Sequence, residues 1–159
     1  MKKALLLIDV QKHFVRKQHG PSIDYINKLI VEYSRKNLPI FNLVYDDPFG
    51  RTIVEGVKKK LEKARGVWHF SKGQDDGGRE AKAILALRGI DPGKAKIHTC
   101  GYNTDACVMD TSVSLHKAGH KIVIHSAGTG SWNKASHNSG LRRMKKLGIE
   151  IVDEDNSIG

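Results

Sequence analysis

Three side chains in this 159-residue chain have the types that acyl transfer needs: the carboxylate Asp9, the ammonium Lys72 and the thiol Cys107. Asp9 closes an apolar run that begins at Ala4, and a carboxylate there is costly to bury unless it is paired or solvated. It reads either as an Asp opening a turn or as a general base facing a cleft. Lys72 follows Trp68-His69-Phe70-Ser71. It is either one more solvated charge in a lysine-rich chain or a cation that steadies a nearby carboxylate and thiolate. Thr104 has the side chain of a good helix N-cap, which places Cys107 in the first turn of a helix. Unpaired N–H groups and the dipole at that end lower a thiol pKa and offer donors to an oxyanion. The competing reading is a buried cysteine acting as a small hydrophobe, which suits Cys100 better. A base, a cation and a nucleophile are together the parts of acyl transfer.

Short apolar runs that alternate with amphipathic stretches must position these groups. Strands are expected at Ala4 to Val10, Ile40 to Tyr45, Gly66 to Phe70, Lys96 to Gly101, Lys121 to His125 and Ile149 to Val152. Between them lie helices: one capped by Ser22, one carrying Ile53, Val57, Leu61 and Ala64, one over Arg79 to Arg88, one from Thr104 to Ala118, and one over Asn138 to Leu147. Asp46 to Gly50 and Ser71 to Gly78 read as loops. The pattern is that of an α/β protein: a doubly wound parallel sheet of about six strands with helices on both faces, a Rossmann-like three-layer sandwich. Residues 1–159 form one expected domain, with no linker or repeat. Ligands of such sheets bind outside the carboxyl ends of the strands, where the strand order reverses, and Asp9, Lys72 and Cys107 each follow a strand.

Composition narrows the classes. Hydrophobic residues are 39% and charged residues 28% of the chain, which excludes a disordered tail or a collagen-like repeat. Two cysteines make no disulfide framework and point to a reducing compartment. Asp9 stops the N-terminal apolar run after five residues, short of an export signal, and no run is long enough to cross a membrane. A cytoplasmic protein with no membrane partner is therefore expected. The net charge of +10 favours acidic ligands without naming one. Lys58-Lys59-Lys60 and Arg142-Arg143 with Lys145-Lys146 fall on amphipathic helices with few aromatics among them, so nucleic acid is not an expected partner. Gly128-Thr129-Gly130 follows the fifth strand and lacks a third glycine, which argues against a dinucleotide cofactor.

The residues from Leu5 to Gln11, then Lys72, and Gly101-Tyr102-Asn103-Thr104-Asp105-Ala106-Cys107-Val108 with Thr111 and Gly119 resemble the isochorismatase-like cysteine hydrolases. His137, Leu141 and Gly148-Ile149 are similar too, so the likeness spans nearly the whole chain. The resemblance implies Asp9, Lys72 and Cys107 as a catalytic triad and a cis peptide at Tyr102–Asn103. It also implies an oxyanion hole from the N–H groups of Asn103 and Cys107. The activity implied is hydrolysis of a small-molecule C–N bond through a thioester on Cys107. Relatives often form homo-oligomers, so self-association is a further expectation.

The sequence departs from the family around the pocket. Many relatives carry Asn-Asp-Phe where this chain has Lys12-His13-Phe14, Ser-Ala-Phe shortly after the lysine where it has Gly73 to Gly78, and Asp where it has Ser126. Phe14, Trp68, Asp75 and Trp132 are the candidate pocket walls. Nicotinamidase-like relatives hold zinc with an Asp-x-His pair, but Asp46-Asp47-Pro48-Phe49 has no histidine, and His116 with His120 lacks a third ligand. No metal is expected. Two other functions stay open at this point: vinyl ether hydrolysis of the isochorismatase type, which does not need the cysteine, and a non-catalytic binding or scaffold protein that keeps the fold.

Overall fold

The computed structural model describes residues 1–46 and 52–153. Six parallel strands, β1 (Lys2–Ile8), β2 (Ile40–Tyr45), β3 (Val67–Lys72), β4 (Ala95–Tyr102), β5 (Lys121–Gly130) and β6 (Glu150–Val152), lie in the order β3-β2-β1-β4-β5-β6. The chain therefore winds outward from β1 to β3, then returns to the centre at β4 and winds the other way. The reversal lies between β1 and β4, which are in register from Lys2 opposite Ala95 to Ile8 opposite Gly101.

Both faces of the sheet are covered, which explains the unbroken apolar run of β1. Leu5 and Leu7 point to the layer of α1 (Gly20–Arg35) and α2 (Glu55–Lys63), where Ile26, Ile30, Val57 and Leu61 meet them. Ala4, Leu6 and Ile8 point the other way, toward α3 (Gly78–Leu87), α4 (Met109–Lys117) and α5 (Lys134–Lys146), among Leu85, Leu115 and Met144. The period of two along the strand thus feeds two separate cores. No described helix is long and apolar enough to cross a membrane.

Several element boundaries differ from those read in the sequence. The fifth strand runs on to Gly130, although Ser126 to Gly130 has the composition of a loop. A bulge lets Thr129 and Gly130 pair with Gly101 and Tyr102, and the glycines are there for space. A Cβ on Gly128 would sit 2.5 Å from Cys100 Sγ, and one on Gly130 would sit 2.7 Å from the His19 ring.

Lys72 is the last residue of β3, four positions beyond Trp68, and not part of the loop. Helix α5 starts at Lys134, because Asn133 Oδ1 accepts the Ser136 N–H at 2.8 Å and caps it. Helix α1 starts at Gly20, with Pro21 in its first turn. Ser22 is not its cap: the hydroxyl bonds the His19 carbonyl at 2.8 Å and the Tyr102 hydroxyl at 2.6 Å. The loop read at Asp46 to Gly50 lies, after Asp46, outside the described residues.

Candidate active site

Asp9 is the residue that follows β1, and its backbone turns to φ +53°, a region L residues seldom enter. Its N–H is held by the Leu43 carbonyl at 2.9 Å. The side chain is fully buried, and so is that of Lys72, whose Nζ lies 3.0 Å from Asp9 Oδ2. Lys72 Nζ also donates to the carbonyls of Gln74 at 2.8 Å and Asp75 at 3.1 Å, and stands 4.4 Å above the Tyr45 ring. A buried ammonium thus has a charge partner, two carbonyls and an aromatic face, which are the conditions for burying it at all.

Cys107 reaches this pair from β4. The Tyr102–Asn103 peptide is cis, and the chain then makes a five-residue π-turn over Thr104–Val108 before α4 begins. The turn is closed by the Val108 N–H on the Asn103 carbonyl at 3.2 Å. Thr104 is not the cap expected from its side chain. Asn103 stands at the cap position without using its side chain, and Thr104 Oγ1 instead pairs with His137 Nδ1 of α5 at 2.7 Å. The π-turn is docked from outside: a Cβ on Gly140 would meet the Thr104 carbonyl at 2.8 Å. The Asn103 N–H takes no backbone partner among the described residues.

The electrostatics run against the lowered thiol pKa read from the helix end. The Cys107 thiol is pushed well above its ordinary value, first by burial and then by the Asp9 charge and a hydrogen bond to it, with Lys72 opposing. Asp9 is also raised, by burial above all, although Lys72 pulls it down. The Lys72 ammonium at 3.0 Å supplies the charge that holds the Asp9 carboxylate, and the Cys107 thiol faces the same group. Resting Cys107 is therefore a protonated thiol beside a base of increased proton affinity. Cys100 is raised by burial alone, in keeping with an inert core position.

The pocket candidates divide. Asp75 is exposed, with Oδ1 3.7 Å from Cys107 Sγ. Phe14 packs toward Tyr45, ring centroids 6.1 Å apart, and so lies on the side of Lys72. Trp132 follows β5 beside the π-turn, to which Ser131 is tied through Asp105. It is 65% exposed, with the Arg16 guanidinium 3.5 Å from its ring centroid. Trp68 is not at the site. It stacks on Phe41 and under Arg88 in a cavity of about 1250 Å³ that also holds Lys2, Lys3 and Lys94, at the amino ends of the strands. The candidate pocket wall at Trp68 is corrected by the strand itself: Lys72 ends β3 at the carboxyl edge, and four residues of extended chain set Trp68 back from it.

Two contributors were not read from the sequence as positioning groups. The Gln11 side chain clamps the end of β2, accepting the Tyr45 N–H at 2.8 Å and donating to the Tyr45 carbonyl at 3.1 Å. Thr111 Oγ1 accepts the Gly77 N–H at 2.9 Å and fixes the loop after Lys72. Both lie within the stretches of family resemblance, but no spacing rule marks a loop clamp.

No group of three or more His, Cys, Asp or Glu side chains among the described residues is placed to hold a metal ion. Asp47 and Phe49 lie outside the described residues, and no histidine occurs between His19 and His69. The donor set of the zinc-holding relatives is therefore not matched.

Comparison with known proteins bears on the family and the fold. A family model described as "Isochorismatase domain" matches residues 3–156. An uncharacterized isochorismatase family protein of Bacillus subtilis is 26% identical over 96 residues, 60% of this chain and 51% of that protein. The matched stretch thus spans about half the length of that curated relative. The crystal structure of a nicotinamidase from Staphylococcus aureus superposes with a TM-score of 0.79 at 24% identity, covering 96% of this chain and 100% of that one. A ribonuclease from Caenorhabditis elegans gives a TM-score of 0.82 at 16% identity, covering 99% and 79%. At these identities the two solved structures speak for the fold.

Proposed function

The chain belongs to the isochorismatase family, and from that premise we propose that it is a cysteine hydrolase cleaving an amide-type C–N bond of a small molecule. The observation that carries the reading is the fully buried Asp9–Lys72 pair facing the Cys107 thiol at the reversal of strand order. A bare buried charge pair gives little net stability. One that also contacts a nucleophile in the ligand-binding crevice has a chemical use.

In the proposed reaction Asp9 takes the thiol proton as Cys107 Sγ attacks the carbonyl carbon. The oxyanion is held by the N–H groups of Asn103 and Cys107, each such donor being worth about 3–4 kcal/mol in the transition state. Protonated Asp9 gives its proton to the departing amine, leaving a thioester. Asp9 then deprotonates water, which attacks the thioester and regenerates the thiol and the carboxylic acid product. Lys72 keeps the ionised form of Asp9 tolerable in a buried place throughout. The ligand is a small molecule, and no metal or cofactor enters the scheme.

The test is ammonia release from a panel of primary amides, with mass spectrometry of the protein quenched during turnover. Wild type should turn over at least one amide and carry an acyl adduct on Cys107. Cys107→Ala should lose at least about 10³-fold in kcat. Full activity in Cys107→Ala would refute the proposal.

A further inference from the structure

Building on the hydrolase reading above, we infer that Asp75 is a specificity residue that selects substrates carrying a positive charge beside the scissile carbonyl, such as an ammonium, amidinium or guanidinium group. The loop after β3 is fixed at three places. The Asp75 carbonyl receives Lys72 Nζ at 3.1 Å and Thr111 Oγ1 at 3.5 Å, and Thr111 also holds the Gly77 N–H. The Asp76 carboxylate is fully engaged, accepting the Gly78 N–H at 2.8 Å and the Ser114 hydroxyl at 2.6 Å. The Asp75 carboxylate is different. Its side chain is exposed, and its one hydrogen bond among the described residues is the weak one from the Cys107 thiol. A pinned backbone thus presents a free carboxylate, 3.7 Å from the nucleophilic sulfur.

The charge around it is unbalanced. Lys72 is engaged by Asp9 at 3.0 Å, and no other described cation forms an ion pair with a carboxylate of this group. The Asp75 charge is felt by Asp9, Cys107 and Asp110 alike. A substrate seated on Cys107 brings its carbonyl within bonding reach of the sulfur and its neighbouring substituents against Asp75. An anionic substituent there meets like charge, whereas a cationic one completes the pair. The +10 charge of the chain does not reverse this preference, because it is screened beyond about 8–10 Å at ordinary salt.

The experiment separates this assignment from the hydrolase reading. Cys107 is labelled with three methanethiosulfonates, neutral methyl, cationic trimethylammonioethyl and anionic sulfonatoethyl, with buried Cys100 as internal control. Rates are divided by those of a free thiol. The cationic reagent should exceed the anionic one by roughly fivefold or more, as a partly exposed ion pair gives, and Asp75→Asn should bring that ratio to about one. An equal ratio in wild type and Asp75→Asn, or a preference for the anionic reagent, overturns the assignment.

The same variants are then given a neutral aromatic carboxamide and its N-methylpyridinium cation. Wild type should favour the cation in kcat/KM, and Asp75→Asn should remove that preference mainly through KM. Turnover of both amides without charge preference overturns the Asp75 assignment and leaves the hydrolase reading standing. Charge-selective labelling with no amide turned over does the reverse.

Discussion

Replacing Lys72 with Met removes the ammonium and keeps most of the volume, so the structure states what the loss should cost. Lys72 Nζ stands 3.0 Å from Asp9 Oδ2, and neither side chain is exposed. The substitution leaves Asp9 as an unpaired buried carboxylate and frees the carbonyls of Gln74 and Asp75. Removing one partner of a buried pair costs about 3–5 kcal/mol. For a chain of this length that lowers Tm by about 6–20 °C. The loss should depend on pH in a defined direction. Asp9 already has a raised pKa with Lys72 present, and without it the folded protein holds that proton still more tightly than the unfolded chain. Stability referred to Asp9 is then greatest when both states are protonated and is lost as pH rises from about 4 toward the folded pKa. Urea unfolding of Lys72→Met should therefore show a deficit that grows from pH 5 to pH 7.5. Asp9→Asn in the same background should recover more than half of it. A Lys72→Met protein as stable as wild type and flat across that range would refute the buried pair.

Two further outcomes follow from other parts of the fold. Tyr25 Oη, His125 and His98 form a chain of 2.7 Å hydrogen bonds on the α1 face, and burial holds both imidazoles down to about 4. Their folded pKa values lie below the unfolded value near 6.5, so this part of the stability is complete above pH 6.5 and is lost as pH falls toward 4, by up to about 3 kcal/mol for each imidazole. Urea midpoints at pH 7 and pH 5 should diverge in wild type and much less in a His98→Phe/His125→Phe double variant. Equal divergence in both would remove the histidines as its source. Gly101 has φ +136°, and a Cβ there would overlap the Ile8 carbonyl of the neighbouring strand. Gly101→Ala should cost more than about 4 kcal/mol or prevent soluble expression, whereas an unchanged Tm would contradict the β1–β4 register.

What the sequence revealed of the fold was what repeats along it. The continuous run of β1 required a sheet covered on both sides, and the structure supplies two cores that share its alternating side chains. What it hid were features that depend on a partner far away in the chain. The fifth strand was read only as far as His125 because serine and glycine are turn residues, and the close approach of Cys100 and His19 is what requires glycine at 128 and 130. Thr104 looked like a cap because local pattern cannot show that His137, 33 residues on, claims its hydroxyl. The same limit explains Trp68. Trp68 and Lys72 share β3, but the strand carries them toward opposite ends of the sheet. Asp75 was within reach of sequence reading because the loop between Lys72 and Gly78 is short enough to keep it at the site.

The raised Cys107 pKa and the proposed nucleophilic role are compatible once the proton is followed. A helix N-terminus stabilises an anion by about 0.3–1 kcal/mol in ordinary settings. At Cys107 that effect is outweighed by burial and by two carboxylates, Asp9 and Asp75, while the nearest ammonium is shared with Asp9. Releasing the thiol proton to solvent would add a second uncompensated negative charge to this group. Passing it to Asp9 would not: the sulfur gains the charge that the carboxylate loses, and Lys72 remains within reach of both. Burial therefore opposes a free thiolate but not an internal transfer. Burial also raises the proton affinity of Asp9 and makes it the better acceptor. On this account the pair is matched: a thiol that keeps its proton until a carbonyl is in place, and a base strong enough to take it at that moment.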